Sequence, residues 1–188
     1  MDLQHINVKL FVDGESTFDS ARFIEVFHRW IAEDALEELL IDVADYRHVP
    51  AGPEVTLVGH EADYGMERLG GRQGLRYNRK APLDGGNESR FQQALRSAAK
   101  ACQMLETEFG EELKFNRGEF ELSVNDRALA PNVPETFESC KPELEAFLKT
   151  ALGHEGFSLK RHNDPRGLFR VVVQTGSPLD LAALSQLG

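Results

Sequence analysis

The chain has 188 residues, of which 41% are hydrophobic and 28% charged, a globular composition rather than a disordered one. Its formal net charge of −10 argues against nonspecific binding to nucleic acid or to an anionic membrane, since both require a basic footprint. No apolar run approaches the ~20 residues of a membrane span, and Met1-Asp2-Leu3-Gln4-His5 lacks the basic and apolar regions of a signal peptide. Two cysteines, Cys102 and Cys140, do not make a secreted disulfide framework. A soluble, cytoplasmic protein is expected, with no membrane and no nucleic acid among its partners.

Taken in chain order, Ile6, Val8, Leu10 and Val12 alternate as one face of a strand. Thr17 or Asp19 is a candidate cap for the next helix. Phe23, Phe27, Trp30 and Ile31 then recur at helical spacing as one apolar stripe. Residues 39–46 read as a strand with Leu39, Ile41 and Val43 pointing inward. Pro50-Ala51-Gly52-Pro53 is turn chemistry. Val55 to Met66 reads as one long strand, and Gly70-Gly71 turns it into a partner strand over 74–80. After the Asp84-Gly85-Gly86-Asn87 loop, Asn87 is the expected N-cap. Phe91, Leu95, Ala98, Cys102, Leu105 and Phe109 give the clearest helical stripe, closed by Gly110.

The second half reads as a hairpin, with Leu113–Asn116 turning at Arg117-Gly118 into residues 120–124. A helix follows from Pro134 or Pro142 to Gly153. A last hairpin pairs residues 157–159 with 168–173 across Asn163-Asp164-Pro165-Arg166-Gly167, and a short C-terminal helix is expected around Leu181. The predicted order is β-α-β-β-β-α, then β-β-α-β-β. Adjacent hairpins favour antiparallel pairing, so the fold class is α+β, with mostly antiparallel sheet and helices packed on one face. Residues 1–188 are expected to form a single α+β domain, or two packed lobes over 1–110 and 111–188. There is no solenoid-type repeat, and the halves are not convincingly similar in sequence.

Charge is segregated along the chain. Residues 1–64 hold 4 Lys/Arg against 14 Asp/Glu, residues 65–100 hold 8 against 3, and residues 101–188 hold 9 against 14. The middle segment is a basic island containing Arg68, Arg72, Arg76, Arg79 and Lys80. Strand alternation puts Arg76, Asn78 and Lys80 on one face and Tyr77 and Arg79 on the other. Arginine forks suit carboxylate or phosphate, so Arg68, Arg72, Arg76, Tyr77, Arg79 and Lys80 are candidate binding residues. The ordinary alternative is a solvated face that neutralises the acidic first segment.

The densest titratable cluster is Gly59-His60-Glu61-Ala62-Asp63-Tyr64. His60 is a candidate general base, with Glu61 or Asp63 to orient it. Neighbours on an ideal strand point apart, which favours a plain polar edge. Asp42, Asp45 and His48 could add ligands if the strands pair, but no metal-ligand spacing is present and no metal is predicted. Walker and Gly-x-Gly-x-x-Gly patterns are absent, and no serine stands in a nucleophile elbow, so no cofactor is implied.

Two functional readings remain. One is a non-catalytic binding or assembly protein that uses the basic hairpin 68–80 against a protein partner or a second copy. The alternative is a small enzyme for an anionic metabolite, with His60 and Glu61 or Asp63 as acid–base groups and Arg76 and Arg79 as anion holders.

Overall fold

The computed structural model describes residues 1–14, 18–49 and 52–188. Its strands are β1 (Ile6–Val12), β2 (Leu40–Asp45), β3 (Pro53–Gly59), β4 (Ala62–Glu67), β5 (Gly74–Arg79), β6 (Phe115–Val124), β7 (Phe157–Arg161) and β8 (Phe169–Thr175). Its helices are α1 (Ala21–Glu33), α2 (Asn87–Phe109), α3 (Pro134–Leu152) and the short α4 (Leu181–Leu184). The strands form one eight-stranded sheet in the order β2-β3-β4-β5-β1-β6-β8-β7. Every neighbouring pair is antiparallel. The expected α+β class, antiparallel sheet and short C-terminal helix are all present. No helix among the described residues is long and apolar enough to cross a membrane.

Both halves follow one path through this sheet. A central strand (β1 or β6) leads into a helix, then to an edge strand (β2 or β7). A meander returns from that edge to lie beside the central strand, and a helix closes the unit. The two central strands pair with each other, in register from Ile6 with Val124 to Leu10 with Phe120.

One face of the sheet is covered by helices. α2 packs on β1 and β5, α3 and α4 pack against α2, and α1 lies over β2 and β3. The alternating residues Ile6, Val8 and Leu10 of β1, and Phe120, Leu122 and Val124 of β6, are buried there with Phe23, Phe27 and Trp30 of α1. Each such side chain contributes on the order of 1.5–3 kcal/mol through removal from water.

Several local expectations are corrected. The long strand over 55–66 is two strands, because the chain reverses at His60 and Glu61. The turn signal at Arg117-Gly118 is absorbed into the continuous strand β6, where Val12 faces Phe115 although Leu10 faces Phe120. The surplus residues bulge, and Asn116 Oδ1 accepts from the Gly118 N–H at 2.8 Å. In β2 another bulge lies between Leu40 and Asp42. It turns Leu40 inward and leaves Leu39 and Ile41 exposed. Asn87 is the first residue of α2, after Gly86; its side chain instead holds the N-terminus, accepting from the Leu3 N–H at 2.7 Å. Asp19 accepts from the Ala21 N–H at 2.9 Å at the start of α1. Thr17, Pro50 and Ala51 lie outside the described residues.

Candidate functional site

Among the described residues no α-helix packs on the other face of the sheet, and its centre is charged. Strand alternation aims Glu67 of β4, Arg76 of β5, Lys9 of β1, Glu121 of β6 and Arg170 of β8 to this side. The register sets Lys9 opposite Arg76 on one flank and opposite Glu121 on the other. It also sets Ser123 opposite Arg170. Bringing like charges together costs energy unless each finds a partner, so the hydrogen bonds decide what each group does.

Lys9 is fully partnered. Its Nζ lies 3.1 Å from Glu67 Oε1 and donates to the carbonyls of Leu69 at 3.1 Å and Arg72 at 2.7 Å. Those contacts use all three ammonium donors. The other Glu67 oxygen is 2.8 Å from Arg76 Nη2. Burial holds the Lys9 ammonium below its usual value, opposed by the Glu67 charge. A Cβ on Gly74 would meet the Leu10 carbonyl oxygen first and would lie 3.0 Å from Lys9 Cε, so glycine there makes room for the β1 backbone as well as for the lysine stem. These bonds tie the loop after β4 to the sheet. At its tip Gly70 and Gly71 have φ of 76° and 80°, a conformation glycine adopts without a Cβ clash.

That loop is one wall of a cleft of about 380 Å³ over the open face. Arg76, Glu121, Ser123 and Arg170 line it from the sheet, and the segments at 125–127 and 164–168 form the facing wall. Arg170 sits between the walls. A Cβ on Gly70 would lie 3.8 Å from its Nη1, and one on Gly167 would lie 3.4 Å from its Nη2. The Arg170 side chain is only 17% exposed, and its closest carboxylate contact is Glu121 Oε1 at 4.0 Å. Its Nε is buried without a hydrogen-bond partner among the described residues. Glu121 is 14% exposed, and burial pushes its carboxyl above the usual range against the charges of Arg170 and Lys9. A guanidinium with unspent donors beside a carboxylate, both facing a cleft, is an arrangement built to meet a polar group from outside.

Comparison with protein-family models and with the curated proteins finds no match to this chain. Function therefore rests on this geometry.

The residues singled out from the sequence are dispersed around the site. Arg76 lines the cleft. Arg68 contacts Glu54 at 3.4 Å. Arg72 pairs with Glu119 at 2.6 Å and lies over the Phe11 ring at 3.6 Å. Lys80 pairs with Asp63 at 2.7 Å. Tyr77 and Arg79 are buried on the opposite, helix-covered face, where Arg79 pairs with Glu61 at 2.8 Å. Arg76 and Arg79 therefore do not converge on one anion. Each hairpin cation has an acidic partner within the chain, and most of those partners come from the acidic first segment.

His60 is exposed on the β3–β4 turn. Glu67, at the cleft, is at the other end of the six-residue strand β4, about 20 Å away at the usual rise per residue. β2 runs antiparallel from Leu40 beside Gly59 to Asp45 beside Val55, which carries Asp45 and His48 away from His60. Among the described residues no group of three or more His, Cys, Asp or Glu is placed to hold a metal. Cys102 and Cys140 are free and buried, and burial raises both thiols, Cys140 to about 11. They are poor nucleophiles at neutral pH.

Sequence reading missed Glu121 and Arg170. Their signal was a charged residue between two buried apolar ones, as in Phe120-Glu121-Leu122 and Phe169-Arg170-Val171, which is also the pattern of any strand with one solvated face. It becomes informative only once the strands are known to be near-neighbours.

Proposed function

We propose that this is a non-catalytic binding protein whose ligand presents an anionic group to Arg170 in the open-face cleft. The observation that carries this reading is the largely buried Arg170 side chain, whose Nε has no hydrogen-bond partner among the described residues and whose closest carboxylate, Glu121, is 4.0 Å away. Leaving such donors unpaired costs about 1–3 kcal/mol, and an anionic ligand would recover it through a bidentate contact. Arg76 and the wall at Leu69-Gly70 are the contribution of the basic hairpin to this site. The remaining hairpin cations already have in-chain partners, so the reading assigns the ligand to the cleft and not to an acidic macromolecule on the hairpin's outer face.

The test is a thermal-shift and native mass-spectrometry screen of the full chain with inorganic phosphate, acetate and malonate. At a hundredfold excess over Kd, a ligand stabilises the folded state by about 2.7 kcal/mol. The expected result is stabilisation of the wild type, weakened by salt and lost in Arg170→Gln. Equal stabilisation of both proteins sinks the assignment.

A second reading has one observation in its favour. A carboxyl raised by burial and set beside an arginine in a cleft is a typical acid–base group. An enzyme acting on an anionic metabolite would then use Glu121 for proton transfer. Turnover of any screened anion that disappears in Glu121→Gln would favour it.

A further inference from the structure

Resting on the binding reading above, we infer that the ligand is zwitterionic, of the α-amino-acid type, with its carboxylate on Arg170 and its ammonium on Glu121. The unspent charges in the cleft are of both signs. Glu67 is shared between Lys9 at 3.1 Å and Arg76 at 2.8 Å, so these three groups already hold one another, with one positive charge in excess. What remains on the floor is Arg170 and Glu121, held 4.0 Å apart. That gap is wider than a hydrogen-bonded ion pair, whose N···O distance is about 2.7–2.9 Å. Arg170 offers donors only and ionised Glu121 offers acceptors only. A simple anion would satisfy the first and be repelled by the second. A group carrying a carboxylate and an ammonium on one carbon would satisfy both and bridge the gap.

The surroundings fit this division of labour. Ser123 stands opposite Arg170 in the register and lines the cleft, adding a hydroxyl to the floor. Arg127 and Asp164, one cation and one anion, lie in the facing wall. They would meet whatever side chain the ligand carries, so the floor reads the common part of an amino acid and the wall reads the variable part. Nothing in the cleft restricts the ligand to one side-chain class, and the experiment must therefore span them.

Matched pairs decide the matter. Each common α-amino acid is titrated calorimetrically against the full-length protein, beside the carboxylic acid that lacks only its amino group, as alanine beside propionate and glutamate beside glutarate. The expected result is one or more amino acids that bind at least about tenfold tighter than the deamino partner, the size of one charge-assisted hydrogen bond. Glu121→Gln should erase that preference while keeping carboxylate binding, and Arg170→Gln should remove both. Equal binding within every pair overturns the zwitterion and leaves the anion site standing. Failure of amino acids, carboxylates and inorganic phosphate alike overturns the anion site as well. If Glu121→Gln does not fold, the matched pairs on the wild type still decide between these outcomes.

Discussion

Lys9 and Arg170 stand on the same open face of the sheet, two strands apart, and do opposite things. Lys9 has an acceptor for every donor and is 3% exposed. Arg170 is largely enclosed too, at 17% exposed, yet its Nε is without a hydrogen-bond partner among the described residues and its closest carboxylate is 4.0 Å away. Burial alone therefore does not separate a structural cation from a functional one. The completeness of its hydrogen bonds does, because a satisfied buried ion pair holds a fold together whereas an unsatisfied one carries an energetic cost that a ligand removes.

The largest effect should fall on the satisfied side. Lys9→Ala strands Glu67, whose side chain is 4% exposed, and releases the 69–72 loop. A loss of about 3 kcal/mol is expected by urea denaturation, tempered by the remaining Arg76 contact. A loss below about 1 kcal/mol would break the contrast.

Arg170→Gln should change stability by less than about 1 kcal/mol in either direction, because its closest carboxylate among the described residues is 4.0 Å away, beyond hydrogen-bond distance. The same denaturation curves, repeated with ligand, should show the wild type stabilised and the variant unmoved.

The next effect is one of pH. Burial raises the Glu121 carboxyl in the folded state, so over the window between its unfolded and folded values the native state binds more proton than the unfolded chain. Stability from this group is therefore gained as pH falls from neutral through the folded value, and lost as pH rises. Glu121→Gln has no such proton to bind. Relative to that variant, the wild type should gain stability as pH falls from neutral toward the ordinary glutamate value, as read by denaturation at each pH. A constant difference between the two proteins would remove the buried-carboxylate half of the comparison.

The smallest effects belong to the exposed residues that the sequence brought forward. Arg68 is 61% exposed over Glu54, and His60 lies on a surface turn. Alanine at either position should cost no more than about 0.5 kcal/mol and should leave ligand affinity unchanged.

Much of the fold was legible for a simple reason: local periodicity survives folding. The period of two in Ile6–Val12 and the spacing of Phe91 to Phe109 each reappear as an element with that face buried. The alternation also assigned Arg76 and Tyr77 to opposite faces, as observed. The errors came where a local signal admits two structures. Arg117-Gly118 reads as a turn but is a bulge within β6. The run from Val55 to Met66 contains a reversal at His60-Glu61, with only Gly59 to suggest it. Pro142 looks like a helix start but lies inside α3, where it forgoes one backbone hydrogen bond.

The sequence by itself determined which side chains each strand and helix turns inward, since a two- or 3.6-residue period is a property of neighbouring residues. Only the tertiary structure decided that β8 returns beside β6 and that β1 lies between β5 and β6. Those pairings bring together Lys9, Glu67, Glu121 and Arg170, which lie up to 161 residues apart in the chain. Whether a charge is spent or free depends on atoms contributed by distant segments, here the carbonyls of Leu69 and Arg72 for Lys9 and, among the described residues, no acceptor for Arg170 Nε. That distinction has no local signature, because hydrogen-bond satisfaction is settled across the sheet and not along the strand.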